Sequence, residues 1–142
     1  MRRVYKAVLP LVLTPVLLIG VSGTANAVIS SGCYYGGECQ VDETMNTGDC
    51  EGIVQDTDSS YVYLQYADNY GTGYDCRFWM ERNVNNTGWY NESGYLTLTP
   101  GHSYDSQNYW DGPGYQARVC LQFLWSGTSD PGVAHCSPAI TN

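Results

Sequence analysis

Six cysteines are the residues of this sequence with the clearest capacity for chemistry. Cys33 and Cys39 frame the segment "CYYGGEC", and a pair at such short spacing can bind a metal, act as a redox switch or form a disulfide. A zinc site needs further ligands, and His102 and His135 do not stand at metal-type spacing beside a second cysteine pair. We therefore predict no metal and no cofactor.

An even number of cysteines in a small exported chain is typical of a disulfide framework. Six cysteines allow fifteen pairings, and the sequence does not select among them. Our working hypothesis is sequential pairing, in which each bridge stabilises the fold by roughly 2 to 4 kcal/mol. The hypothetical pairs are Cys33 with Cys39, Cys50 with Cys76, and Cys120 with Cys136.

Other catalytic patterns are weak or absent in the sequence. It contains no "GxSxG" elbow, "HExxH" motif, phosphate loop or dinucleotide fingerprint. His102 and Asp105 in "TPGHSYD" could form a hydrolytic pair, but a turn histidine after Pro-Gly is the simpler interpretation. Paired carboxylates could serve a glycosidase, and "DTD" at 56–58 with Asp68 could bind calcium, yet acids scattered through turns first indicate solubility. We predict a non-enzymatic protein without catalytic residues.

Aromatic residues are the more informative feature. Twelve Tyr, four Trp and two Phe follow residue 27, and several stand in polar turns, a composition typical of recognition surfaces. Structural stacking is the alternative. The candidate binding residues are Trp89, Tyr90, Tyr109 and Trp110, together with Tyr34 and Tyr35. Because exposed aromatics beside acids and amides also suit sugars, a carbohydrate-binding module remains a second class.

The N-terminus predicts export. Arg2, Arg3 and Lys6 precede an apolar run over 7–21, and small residues end at Ala27. This order is typical of a secretory signal peptide, residues 1–27, that is cleaved to release the remaining 115 residues. We expect a secreted protein.

The charge of the remaining chain limits its partners. Three arginines stand against fourteen acidic residues, which gives a net charge of −11, and there is no lysine. Such a surface repels phosphate backbones and anionic lipids, so we expect neither nucleic acid nor membrane as partner. Cationic partners would be attracted.

Several segments alternate in the manner of strands. We predict strands in "YVYLQY" (61–66), "CRFWMER" (76–82) and "GYLTLT" (94–99), with a turn at "NVNNTG". The alternation in "YQARVCLQFLW" (115–125) predicts two faces. One holds Tyr115, Ala117, Val119, Leu121, Phe123 and Trp125, and the other holds Gln116, Arg118, Cys120 and Gln122. No helical periodicity is present after residue 27. We therefore expect an all-β fold, a small antiparallel β-sandwich or barrel stapled by disulfides.

Composition divides the exported chain into two parts. Residues 28–60 are rich in Gly, Ser, Thr and acids, whereas residues 61–142 are dense in aromatic and branched residues. We predict an N-terminal arm with a small disulfide loop over 28–60 and a β-sandwich domain over 61–142. On this hypothesis, removing residues 28–49 leaves a folded domain that has lost its partner.

Three segments carry a resemblance. "YVYLQYADNYGTGYDC" (61–76), "YWDGPGYQARVCLQFLWSG" (109–127) and the closing His135-Cys136 resemble small secreted actinobacterial proteins of the spore-associated protein A type. The resemblance covers about the last eighty residues and implies a compact disulfide-bonded β domain with no known enzymatic role.

Two further families are similar in style. "TPGHSYDSQNYWDGPGYQARVC" (99–120) is similar to the last part of proteinaceous α-amylase inhibitors, although their Trp-Arg-Tyr turn is absent, the nearest segments being "CRFW" and "GWYN". In size, secretion, β character and polar arm, the chain resembles the small adaptor subunit of actinobacterial umbrella toxin particles. That subunit joins a lectin-like subunit to a repeat-bearing toxin.

These observations favour a secreted protein-binding module with an unidentified secreted protein as partner. An adaptor role in an extracellular toxin or surface assembly is the first expectation. An inhibitor of a secreted amylase- or protease-type hydrolase and a carbohydrate-binding module are the alternatives.

Overall fold

The computed structural model describes residues 28–34, 37–45, 48–57, 61–71, 73–125 and 132–141. The predicted signal peptide and Tyr35 lie outside these ranges. The described residues form twelve β-strands and no helix. In chain order they are β1 (Val28–Tyr34), β2 (Glu38–Met45), β3 (Gly48–Asp56), β4 (Tyr61–Asn69), β5 (Tyr74–Val84), β6 (Trp89–Asn91), β7 (Leu96–Leu98), β8 (Ser103–Tyr104), β9 (Tyr109–Trp110), β10 (Tyr115–Trp125), β11 (His135–Cys136) and β12 (Ile140–Thr141).

The strands form two antiparallel sheets of six strands each. Sheet A has the order β1-β2-β3-β4-β8, and β9 also pairs with β4. Sheet B has the order β11-β10-β5-β6, with β12 on β10 and β7 on β5. One continuous hydrophobic core draws on both sheets. The all-β prediction is thus confirmed, in the form of a sandwich.

The paired strands β5 and β10 form the centre of sheet B. Their register joins Tyr115 to Val84 and Trp125 to Tyr74, so β10 is paired along its whole length. The predicted alternation is confirmed: Ala117, Val119, Leu121 and Phe123 are all buried in the core, and Arg118 points away from it. A strand with one covered face needs this period of two, since successive side chains point to opposite faces.

The two sheets approach each other closely at Gly52 of β3. A Cβ atom placed there would lie 2.8 Å from Val119 Cγ2 and 3.3 Å from Phe78 Cδ1. Both neighbours are fully buried, so neither can move aside freely. The absence of a side chain at position 52 therefore sets the local distance between the two sheets.

The predicted turn at "NVNNTG" is also confirmed. Asn85 and Asn86 both have positive φ, 50° and 59°, and the Thr87 amide donates to the Val84 carbonyl at 3.0 Å. Two central residues with positive φ are the pattern of a type I′ turn, which matches the twist of hairpin strands and favours Asn. The turn leads β5 into β6.

All three hypothetical disulfides are present, and the described residues contain no free cysteine. Cys33–Cys39 and Cys120–Cys136 join residues that are directly opposite on neighbouring strands. Cys50–Cys76 instead joins β3 to β5 and so links sheet A to sheet B. The bridges indicate an oxidising compartment.

The separate N-terminal arm is a wrong prediction. Residues 28–56 include three strands of sheet A, and Cys39, Val41, Cys50 and Val54 belong to the buried core. Removing residues 28–49 would therefore delete part of that core and could not leave an intact sandwich. The disulfide loop at Cys33–Cys39 is real, but it closes the β1–β2 hairpin.

Candidate interaction surfaces

The predicted binding aromatics do not form one site. Trp89 and Tyr90 belong to β6 in sheet B, whereas Tyr109 and Trp110 belong to β9 in sheet A. Tyr34 ends β1 and is exposed. Each pair therefore has its own surroundings, and these decide whether a ring is free for a partner.

Trp89 is held by a network on the outer face of sheet B. The Arg118 guanidinium lies 4.1 Å from the centroid of the Trp89 ring. Arg118 also donates to Glu81 Oε2 from Nε at 2.9 Å and from Nη2 at 2.6 Å. The other oxygen of Glu81 accepts from the Trp79 indole at 2.9 Å. Trp89 thus has structural contacts that explain its position, while its neighbour Tyr90 is exposed.

Trp110 covers backbone on one side and faces solvent on the other. Its ring meets Tyr115 edge to face at 4.9 Å between centroids. The indole also occupies the space that a Cβ atom at Gly112 would need. The side chain is nevertheless 48 % exposed, so part of the ring remains available for contact.

A buried polar cluster that the sequence did not indicate lies next to the Tyr115 ring. Arg82 stacks on the Tyr115 ring at 5.2 Å, and its Nη1 pairs with Glu92 Oε1 at 3.1 Å. Asp111 is fully buried, and burial raises its pKa to about 6, with Arg82 opposing the shift and Asp56 adding to it. A carboxyl with a raised pKa is a common catalytic feature, but this one has no exposed surface for a substrate.

The two histidines lie in structural surroundings. His102 Nδ1 is 2.9 Å from the Thr99 hydroxyl, within the Pro100-Gly101 turn. His135 Nε2 lies 3.9 Å from Glu43 Oε1, so it connects β11 to β2. Burial raises the pKa of Glu43 to about 7.

One group has metal-ligand residue types close together. The ligand atoms of Glu81, Cys120 and Cys136 lie within 4.8 Å of one another. The two sulfur atoms are joined in a disulfide, and Glu81 already accepts from Arg118 and Trp79. This group therefore offers no free set of ligands.

A small cavity lies between β7 and the strands β8 and β9, with a volume of about 120 Å³. Three tyrosine rings and two serine hydroxyls contribute to its lining. The residues are Ser93, Gly94, Tyr95, Leu96, Tyr104, Ser106 and Tyr109. Of the predicted binding residues, Tyr109 lies here.

The strand β1 forms one free edge of sheet A. Among the described residues it pairs with β2 alone. Its side chains are largely exposed: Val28 66 %, Ile29 45 % and Tyr34 56 %. Edge strands usually carry charges or proline that hinder further pairing. The sequence of β1, "VISSGCY", contains neither.

The geometry of the Cys33–Cys39 pair shows which backbone groups face this edge. The two Cα atoms are 4.1 Å apart, the close spacing of a pair that does not exchange hydrogen bonds within an antiparallel ladder. Since this character alternates along a strand, Ile29, Ser31 and Cys33 direct their N–H and C=O groups away from β2. A strand docking on this edge would form its hydrogen bonds with the N–H and C=O groups of these three residues.

Acidic residues occupy the outer face beside this edge. Asp42 of β2 is opposite Glu51 of β3, and Thr44 is opposite Asp49. The Thr44 hydroxyl lies 3.4 Å from Asp42 Oδ1 and 3.3 Å from Asp49 Oδ1. The pKa of Asp42 is raised to about 6, first by burial and then by Asp49 and Glu51. Asp49 and Glu51 therefore disfavour the ionised form of Asp42.

Comparisons with protein-family profiles, curated proteins and solved structures found no match for this chain. The resemblances to the spore-associated, inhibitor and adaptor families therefore stay predictions. Within the described ranges, the structure holds no helix long and apolar enough to cross a bilayer.

Proposed function

We propose that this chain is a secreted, non-enzymatic protein-binding module that docks an extended segment of its partner on the free edge of β1. The observation that carries the proposal is an unprotected edge strand in a disulfide-stapled sandwich. Adding a strand to such an edge is a recurring mode of peptide recognition, in which main-chain hydrogen bonds supply much of the affinity.

Preorganisation of β1 supports this function. The Cys33–Cys39 bridge holds the strand against β2 before any partner arrives. A strand that is already ordered loses less conformational entropy on binding, so more of the contact energy remains as affinity. The oxidised cysteines and the predicted signal peptide together support action outside the cell. A role as adaptor in an extracellular toxin or surface assembly fits such a module.

The test exploits the direction of the backbone groups in β1. The Ser31→Pro variant removes an N–H that points to the free edge and leaves the hydrogen bonds to β2 in place. Its matched control, Ser31→Ala, keeps the N–H and changes only the side chain. Native protein purified from culture supernatant identifies the partner by mass spectrometry, and calorimetry with that partner compares the variants. We expect Ser31→Pro to abolish binding and Ser31→Ala to retain it. Equal affinity for both variants would exclude the β1 edge.

Carbohydrate binding is a second candidate, favoured by the tyrosine-lined cavity. Tyr95 is 67 % exposed beside Tyr104, and exposed rings next to hydroxyls suit the apolar faces and hydroxyl groups of sugars. This function predicts retention on insoluble polysaccharide that is lost in Tyr95→Ala and kept in Ser31→Pro. Passage of the unmodified protein through a panel of polysaccharides without retention would reject it.

A further inference from the structure

Charge is divided between the two sheets of the sandwich. No lysine or arginine occurs between residues 28 and 76, so strands β1 to β4 contain no cationic side chain of these types, and β8 and β9 contain none either. Arg77, Arg82 and Arg118 all belong to β5 and β10 in sheet B. The negative charge of sheet A is therefore not neutralised by residues of its own strands.

The three arginines already have partners. Arg82 pairs with Glu92 and Arg118 pairs with Glu81, at 3.1 Å and 2.6 Å. Arg77 lies 5.5 Å from the centroid of the Tyr95 ring. Neutralising the outer face of sheet A therefore requires a cation from another molecule.

The outer face of β1 leaves room for a long side chain to reach these acids. Ser30 is opposite Asp42, and Gly32 is opposite Gln40. A Cβ atom at Gly32 would have no neighbour within 4 Å, so this part of the surface is open. A strand added to β1 would lie about 9.5 Å from β2, two strand spacings. The flexible stem of a lysine or arginine covers most of that distance, and the aspartate side chain covers the rest.

We propose that the strand docking on β1 comes from a basic protein segment whose lysine or arginine side chains cross Ser30 and Gly32 to contact Asp42, which lies opposite Glu51. This inference rests on the proposed function, and it names the chemistry of the partner. The segment alternates: cations point to the outer face, and apolar residues cover the exposed Ile29 on the inner face. The cations also relieve the mutual repulsion of Asp42, Asp49 and Glu51.

A second copy of this chain is a poorer occupant of the same edge. Pairing two β1 strands would bring two uncompensated acidic faces together, in a chain whose net charge after residue 27 is −11. It would also supply no lysine or arginine from β1, which has no charged residue. Charge complementarity therefore selects a basic segment.

The test uses two synthetic peptides of about seven residues, the length of an ordinary strand. One alternates lysine with valine and the other alternates glutamate with valine. Binding to the full exported protein is measured by calorimetry, and amide chemical shifts locate the contact. Three protein variants accompany the unmodified protein: Ser31→Pro, the double variant Asp42→Asn/Glu51→Gln, and the control Asp75→Asn in sheet B.

We expect the lysine peptide to bind and shift amides of β1, and the glutamate peptide not to bind. Affinity should fall at least about tenfold between about 0.05 M and 0.5 M salt, because screening weakens exposed charge pairs. The double acidic variant should lose about threefold to tenfold in affinity, and the sheet B control less than about twofold.

The outcomes separate this inference from the proposed function. Suppose that Ser31→Pro abolishes binding of the native partner, but the double acidic variant leaves that affinity and its salt dependence unchanged. The β1 edge is then the docking site, and the proposal that the docked segment is basic is wrong. If Ser31→Pro leaves binding of the native partner intact, the proposed function fails, and this inference fails with it. Lysine-peptide binding that survives Ser31→Pro, or concentration-dependent dimerisation that Ser31→Pro removes, also overturns the basic-segment proposal.

Discussion

Cys50 of β3 and Cys76 of β5 are fully buried and covalently linked, so a single bond fastens the two sheets across the core. Each of the other two bridges joins neighbouring strands of a single sheet, one bridge in sheet A and the other in sheet B. The three disulfides therefore have different mechanical roles, although all six cysteines look equivalent in the sequence.

The first prediction compares two bridges. Replacing Cys50 and Cys76 by alanine should lower the free energy of unfolding by about 4 kcal/mol, since the bridge spans 26 residues and its sulfur atoms are packed in the core. Replacing Cys33 and Cys39, which are 6 residues apart, should cost about 2 kcal/mol. Urea denaturation of both double variants measures the difference. Equal losses would contradict the sheet-linking role of Cys50–Cys76.

The second prediction concerns the contact of the sheets at Gly52. The Gly52→Ala variant should lose about 1 to 3 kcal/mol, because its Cβ would overlap the buried Val119 methyl group. Gly32→Ala is the matched control: it adds the same atom where nothing lies within 4 Å and should change stability by less than about 0.5 kcal/mol. Thermal unfolding followed by circular dichroism compares the two. A Gly52→Ala variant as stable as Gly32→Ala would show that position 52 does not limit the distance between the sheets.

The third prediction concerns pH. Burial raises the pKa of Glu43 to about 7 from an ordinary value of 4.5. The folded state therefore holds the proton of the Glu43 carboxyl more tightly than the unfolded state does. Unfolding then releases the proton between these values, and stability falls as the pH rises from about 5 to 8. Asp42 and Asp111, with pKa values of about 6, act in the same direction over a lower range.

The Glu43→Gln variant tests this dependence. It should be more stable than the unmodified protein at pH 8 and should lose less stability between pH 5 and 8, because a neutral amide replaces a carboxylate that burial disfavours. The His135→Asn control should keep most of the slope, since burial and not the 3.9 Å contact is the cause. Melting temperatures across this range provide the measurement. An identical slope in Glu43→Gln would rule out Glu43 as its source.

The fourth prediction separates structural from binding aromatics. Trp89→Ala should cost about 1 to 2 kcal/mol of stability, because the ring contacts the Arg118 guanidinium that holds Glu81. Affinity for the partner should stay unchanged if the β1 edge is the docking site. Tyr90→Ala, at the exposed neighbouring position, is the matched control and should alter neither quantity. If a folded Trp89→Ala variant loses affinity for the partner, the binding site includes β6 and the β1 edge alone does not explain binding.

Much of sheet B was predictable from local patterns. The alternation from Tyr115 to Trp125 predicted both the strand and its buried face, and the polar segment "NVNNTG" predicted the turn that the structure places at Asn85 and Asn86. These features depend on contacts between near neighbours in the chain and on the period of two of a half-buried strand. Sequential disulfide pairing was a hypothesis that the structure confirms: two pairs are opposite each other in a strand register, and the third links the two sheets.

The first three strands of sheet A were missed because their pattern is irregular. Inward positions of β2 and β3 include Glu43 and Gly52, which do not resemble core residues, and the register with β4 shifts between Ile53 and Val54. Composition therefore indicated a polar arm where the chain forms part of the core. The carboxyl of Asp111 was missed for a similar reason, since its burial depends on residues from distant strands.

By itself the sequence determined the strand character, the even set of cysteines and the large excess of negative charge, because these are properties of residue types and of short-range periodicity. Only the tertiary structure decided that β1 is a free edge, that the acids line the face beside it and that Trp89 is held by Arg118. Those relations arise from strand pairing between residues far apart in the chain. Local preferences of the residues involved do not specify which strands become neighbours.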